Sequence, residues 1–185
     1  MEHAMPLPLR RIVTGHDAAG RSVIVSDGPT PNTFGPPGDP VLINFWATFQ
    51  SPPDLRDSAD PAAGPIALHS GHGGATFRFF RVPPETAFAH LSDAERRQGT
   101  AAYYAQVGAA DAYDPTGRHP AFHRTRSVDF IVLLEGEVTL MLDDAETDLK
   151  PFDVVVQRGT SHAWVNRGER TALMMAVLLD AGEVD

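Results

Sequence analysis

Residues able to do chemistry concentrate in two short segments: His123, Thr125 and Asp129 in the first, His162, Trp164 and Asn166 in the second. Along an extended chain successive side chains point to opposite faces, so each trio shares one face if its segment is a strand. Two imidazoles and a carboxylate facing one cavity form a 2-His-1-carboxylate set. Such a set leaves coordination positions open for water, oxygen or a bidentate substrate on iron, manganese, zinc, nickel or cobalt. The same three groups also work without a divalent metal: one imidazole abstracts and returns a proton while Asp129 fixes the tautomer of the other, which is dehydratase or isomerase chemistry. Taken singly, His123 and His162 read as satisfied core histidines and Asp129 as a partner for Arg124 or Arg126. All three converging on one cavity would instead make a site.

The remaining polar and aromatic residues of the trios suit substrate binding. Thr125 is a weak neutral ligand at best, Trp164 suits an aromatic wall and Asn166 a hydrogen-bonding position further along the inward face. His119 has the same parity as His123 but follows the turn at Gly117 and precedes Pro120, which places it at the rim, with a fourth-ligand role as the alternative. An apolar pocket walled by Trp164, Phe130 and Trp46 suits an aromatic or polyketide-like molecule, and Arg118, Arg124, Arg126 and Arg158 are available for a carboxylate.

The elements that must position these residues are strands. From Ala121 onward, turn residues recur at Glu135-Gly136, Asp143-Asp144, Pro151-Phe152, Arg158-Gly159 and Arg167-Gly168. That rhythm predicts a double-sheet jelly roll or small barrel, whose mouth accommodates a small ligand. The segment 171–179 is apolar without alternation, so both its faces should be covered, by the chain itself or by a second copy; a homodimer is expected.

Earlier in the chain, 12–26 carries two β-branched runs about Asp17-Ala-Ala-Gly20, the chemistry of a hairpin. A Pro- and Gly-rich loop over 28–40 leads to a buried strand at 41–48, and 51–65 reads as a surface connection. His69 and His72 lie in a glycine-rich stretch that leaves them unpositioned, so they read as a solvated loop. A strand is expected over 76–82, with Phe77 and Phe79 on one face and Arg78 and Phe80 on the other. Ser92 and Glu95 have the spacing of a capping box, followed by helix-forming residues interrupted at Gly99, which predicts one broken helix or two short ones. This insertion supplies Tyr103 and Tyr104. Both can simply pack the helix onto a sheet, and Tyr104 can act as a lid in contact with substrate.

On these residues the chain resembles the cupins. His123 matches the first histidine of the family's first motif, and Asp129 and Gly136 keep the spacing of its glutamate and glycine. His162 and Asn166, behind Gly159, match the histidine and asparagine of the second motif. Thr125 stands where a second histidine is usual, Phe152 where a turn glycine is usual and Gln157 where proline is usual. The resemblance implies a jelly-roll cupin barrel, a dimer and a divalent metal held by His123, Asp129 and His162. It implies an enzyme that oxygenates, decarboxylates or isomerises a small aromatic or carbonyl compound. Metal-free acid–base catalysis and a non-catalytic ligand-binding cupin are the alternatives. The expected organisation is one cupin domain over 1–185: strands and loops to 75, a helical insertion at 85–112 and the barrel motifs at 119–180.

Composition sets the outer bounds. The chain has 185 residues, 42% of them hydrophobic, which suffices for one core. A net charge of −9 argues against nucleic-acid or anionic-membrane partners and for a small molecule. With no cysteine, any metal must be held by His, carboxylate or hydroxyl groups. The stretch 1–6 lacks the pattern of a signal peptide, so the cytoplasm is the expected location.

Overall fold

The computed structural model describes residues 9–56, 59–69 and 71–181; the stretch 1–6 lies outside them. Among the described residues, eleven strands and one α-helix run in the order β1 (Arg10–His16), β2 (Ser22–Pro29), β3 (Thr33–Phe34), β4 (Leu42–Thr48), β5 (Ala75–Val82), α1 (Asp93–Gln106), β6 (Ser127–Glu135), β7 (Val138–Met141), β8 (Glu146–Leu149), β9 (Val154–Arg158), β10 (Ala163–Val165) and β11 (Ala172–Asp180). The strands form a six-stranded sheet in the order β3-β4-β5-β11-β6-β9, a three-stranded sheet β10-β7-β8 and the ribbon β1-β2.

All named strand pairs are antiparallel. The two larger sheets close over a shared apolar core: Ile131 and Leu133 from β6 and Met174 and Ala176 from β11 pack with Val138 and Leu140 from β7 and Trp164 from β10. This is the double-sheet barrel expected from the turn rhythm, and the hairpin about Asp17–Gly20 is also present.

Period-2 alternation decides what faces the interior. On β5 the buried residues are Thr76, Arg78 and Val82; on β6 they are Ser127, Asp129, Ile131 and Leu133. On β11, Ala172, Met174, Ala176 and Leu178 are buried toward the core, while Leu179 is 38% exposed on the other face. Phe130 (43%), Val154 (63%) and Val156 (54%) share that exposure on the neighbouring strands. Of the two faces of β11, the chain itself fully covers the inner one, and cover of the outer one falls to the alternative of a second copy. Phe130 points outward, so it does not wall a pocket.

The helix is continuous through Gly99, not broken there. Its start is fixed by the capping box: the Ser92 hydroxyl accepts from the Glu95 amide, and the Glu95 carboxylate accepts from the Ser92 amide at 2.7 Å. Glycine in a helix interior costs about 1 kcal/mol relative to alanine, too little to break a helix that is capped and packed. Packing comes from Tyr104 and Val107, which meet Leu42 and Leu68 in a second apolar cluster. The insertion thereby becomes a wall over one end of the barrel.

Candidate functional site

His123 and His162 lie just outside the regular strands and form an antiparallel bridge, each amide donating to the other's carbonyl at 2.8 and 2.9 Å. In such a pair both side chains leave the same face, and the ring centroids are 4.2 Å apart. Each ring is held at Nδ1. His123 Nδ1 donates to the Ala121 carbonyl at 3.0 Å, because a carbonyl oxygen can only accept; His162 Nδ1 donates in the same way to the Thr160 carbonyl at 2.9 Å, the nearby Gln157 amide nitrogen, 3.1 Å away, giving its hydrogens to Thr160. This tautomer leaves Nε2 of each ring as the acceptor. Gln157, buried and standing where proline is usual, donates its amide to the Thr160 carbonyl at 2.9 Å and so braces the turn that holds His162.

Burial lowers the pKa of His123 to about 4, opposed in part by its hydrogen bond to Ala121. Burial, reinforced by neighbouring His123, takes His162 well below the usual imidazole value. Both rings are therefore neutral at physiological pH. Asp129, 3% exposed, accepts at Oδ2 from the Thr125 hydroxyl at 3.2 Å, whereas its Oδ1 has no partner. Burial raises its pKa, opposed by hydrogen bonding and by the charge of Arg78.

His123, Thr125, Asp129, His162, Trp164 and Tyr104 all line one cavity of about 480 Å³ between the sheets and α1. Tyr104 is buried, with its ring 5.1 Å from that of His123. At the mouth, His119 accepts at Nδ1 from the Ala121 amide and turns Nε2 to Glu85 at 3.4 Å, which places it at the rim as expected.

Asn166 is not among the cavity residues. It is fully buried, its amide donating to the Val82 and Arg170 carbonyls and its oxygen accepting from the Gly168 amide, so its capacity is spent on locking the chain reversal before β11. Trp46 lies away from the cavity too, as do Arg118, Arg124, Arg126 and Arg158. Arg118 is used on the Leu142 and Ala145 carbonyls, and Arg124 and Arg126 are exposed. Nor does Asp129 orient an imidazole; main-chain carbonyls do that.

The cations that do line the cavity are Arg78, Arg81 and Arg96, and of these Arg78 is the fully buried one, at 2% exposure. Its Nη2 donates to the carbonyls of Ala67 and Leu68, and burial lowers its pKa to about 10. His69, expected in a solvated loop, is half-buried, and burial together with Arg78 lowers its pKa. The one sequence signal for Arg78 was its parity with Phe80 on β5.

A metal is what the cupin likeness implied. Among the described residues, no group of three His, Asp or Glu side chains comes close enough to hold an ion. The three-ligand set of His123, Asp129 and His162 therefore does not fit. The two imidazoles converge, while the carboxylate stands apart from them, bonded at Oδ2 to Thr125.

Comparison with known proteins agrees with the geometry. The cupin domain family matches residues 112–178, the span from the end of the helical insertion to β11. Phomopsin biosynthesis cluster protein C' of Diaporthe leptostromiformis is 31% identical over 185 residues, covering 95% of this chain and 80% of the relative. The cupin-domain-containing oxidoreductase fogC of Aspergillus ruber is 28% identical over 180 residues, covering 94% of this chain and 73% of the relative. A Cupin 2 conserved barrel domain protein from Salinispora arenicola aligns over 58% of this chain and 64% of that one, with 17% identity and a TM-score of 0.35. The chain belongs to the cupins. Among the described residues, no helix is long and apolar enough to cross a membrane.

Proposed function

We propose that this cupin is an enzyme that encloses a small, largely apolar aromatic or carbonyl compound and moves a proton within it, using the His123–His162 pair. The observation that carries the reading is the pair itself: two neutral imidazoles, each pinned through Nδ1 to a carbonyl, with Nε2 free as acceptor in a cavity of about 480 Å³. Cavities of this size enclose most of a small organic ligand. With a carbonyl compound bound, Nε2 takes a proton from the carbon beside the carbonyl. The C–H pair moves into the enolate, and an N–H bond forms on the ring. Returning the proton to another position completes an isomerisation. Burial disfavours a lone imidazolium, but the transfer creates an enolate beside it, and the two opposite charges offset that penalty.

A second reading is favoured by one specific observation. Histidines whose Nδ1–H is fixed to a main-chain carbonyl are oriented as metal ligands usually are. Two imidazoles with Thr125 nearby would need donors from solvent or substrate to complete a coordination sphere. Relatives named cupin-domain-containing oxidoreductases support an enzymatic role under either reading. The apolar strip of Phe130, Val154, Val156 and Leu179 supports assembly as a homodimer.

The test is deuterium incorporation from heavy water into naphthylacetone, followed by NMR, with protein purified without chelator and analysed for metal. Exchange that is lost in His123→Gln and His162→Gln, and kept after EDTA, supports proton transfer. Exchange abolished by EDTA and restored by one added metal supports the second reading. No exchange above the buffer rate removes both.

A further inference from the structure

Two charged side chains on the inner wall of the cavity keep hydrogen-bonding groups unused. Arg78 Nε and Nη1 have no acceptor, which leaves three N–H bonds unpaired; Asp129 Oδ1 has no donor in hydrogen-bonding geometry, its near neighbour being the Ser127 hydroxyl, which is itself without a partner. Both residues are almost fully buried, at 2% and 3% exposure, and both line the cavity. Burying polar groups in this condition is unfavourable unless a partner arrives.

Their placement follows from strand register. Arg78 on β5 stands opposite Ala176 of β11, and Asp129 on β6 stands opposite Leu178 of the same strand. The two therefore flank β11 on one face, two interstrand spacings across the sheet and two residues along it, with their Cα atoms about 12 Å apart. Ala176 and Leu178, which lie between them, also line the cavity and offer only apolar surface. Arg78 is held from behind, its Nη2 bonded to the carbonyls of Ala67 and Leu68, so its free N–H bonds are not available to the main chain there.

We infer that Arg78 and Asp129 form a polar subsite for an uncharged donor–acceptor group on an otherwise apolar ligand: a carbonyl whose oxygen accepts from Arg78, next to a hydroxyl or N–H that donates to Asp129. This deepens the function proposed above and rests on the reading of the cavity as a small-molecule site. The choice of an uncharged group follows from the wall. The cation and the acid leave the same face of the sheet on either side of β11, so a carboxylate that met Arg78 would also feel the charge of Asp129, which reduces its net attraction. A purely apolar ligand would leave all the free groups unpaired. A carbonyl beside a hydroxyl satisfies both ends. It also sets the carbonyl oxygen against a guanidinium, where negative charge on that oxygen is stabilised.

Calorimetric titration of the full chain with three probes of one size tests this: naphthamide, which carries an acceptor and a donor; naphthoate, which is anionic; and ethylnaphthalene, which has neither. Naphthamide is expected to bind at least tenfold more tightly than either of the others. Arg78→Met and Asp129→Leu should each bring naphthamide down to the ethylnaphthalene level, with ethylnaphthalene binding retained. The wild-type ranking stands on its own if Arg78→Met fails to fold. Naphthoate binding most tightly, or all three binding alike, overturns the subsite and leaves the cavity reading intact. No binding by any of the three overturns both. Loss of deuterium exchange with the ranking preserved removes the proposed chemistry alone.

Discussion

His123 and His162 exchange both of their main-chain hydrogen bonds, so backbone pairing sets their side chains side by side on one face, with ring centroids 4.2 Å apart. Rotation of either ring away from the other would break its Nδ1 bond to a main-chain carbonyl. The ring tautomers are fixed in the same way, by the carbonyls of Ala121 and Thr160. The imidazole pair is thus preorganised by the main chain, and helix α1 closes over it with Tyr104 against His123.

Acid should destabilise the fold through this pair. The folded pKa of His123 is about 4, below the 6.5 of an unconstrained imidazole, and that of His162 is depressed in the same direction. The unfolded chain therefore binds more protons than the folded one throughout that window. Stability is complete above pH 6.5 and falls as pH drops toward 4, with a loss of roughly 3 kcal/mol from His123. Asp129, whose folded pKa is raised, acts with the opposite sign at the low end. Urea unfolding at several pH values should show this slope, and His123→Phe should flatten it. An unchanged slope in the variant would place the acid sensitivity elsewhere.

Much of this site was legible in the sequence because parity is a local property. His123, Thr125 and Asp129 were placed on one face, and His162 with Trp164 on another, and all five line the cavity. The capping box at Ser92 and Glu95 was legible for the same reason. Arg78 was not. An arginine within an apolar strand reads as a solvent-facing residue, and only the covering elements 67–68 and α1 make its face an interior one. Asn166 erred the other way: spacing put it on the inward face, but the turn at Gly168 recruits its side chain. Gly99 misled because glycine's helix cost is small beside the capping and packing that hold α1.

Asn166 should accordingly behave as a structural residue. Asn166→Ala removes hydrogen bonds to Val82, Arg170 and Gly168 inside a fully buried site. Leaving buried carbonyls and an amide without partners costs about 2–4 kcal/mol in total. The expected result is a lower urea midpoint with naphthamide affinity of the folded protein unchanged. A large loss of affinity at unchanged stability would return Asn166 to the site.

Phe152 occupies the turn between β8 and β9 with φ of 74°, a conformation that glycine adopts freely and a residue with a Cβ does not. Its side chain is 77% exposed, so little packing is lost by removing it. Phe152→Gly should relieve about 1–2 kcal/mol of backbone strain, offset in part by the greater freedom of glycine in the unfolded chain. A net gain of about 0.5–1 kcal/mol in thermal or urea unfolding is expected. A loss of stability would show that the exposed ring contributes packing that its accessibility hides.

The mouth of the cavity is tied by Glu85, Arg96 and His119, all of which line it. Arg96 Nη2 donates to both Glu85 oxygens, at 2.9 and 2.7 Å, and His119 Nε2 lies 3.4 Å from the same carboxylate. These contacts join α1 to the 85–88 turn and to the segment leading into His123. The Glu85 amide also donates to the Asn166 carbonyl at 2.8 Å, so the turn is anchored to the barrel, and a ligand leaving past this rim would have to part Arg96 of α1 from it. A half-exposed ion pair of this kind contributes about 1 kcal/mol, which converts to roughly a fivefold change in rate when it must break for the ligand to leave. Arg96→Ala is therefore expected to raise the dissociation rate of bound naphthamide about fivefold in stopped-flow displacement, and high salt should do part of the same to the wild type. Equal rates in variant and wild type would mean that ligand leaves by a path that does not part α1 from Glu85.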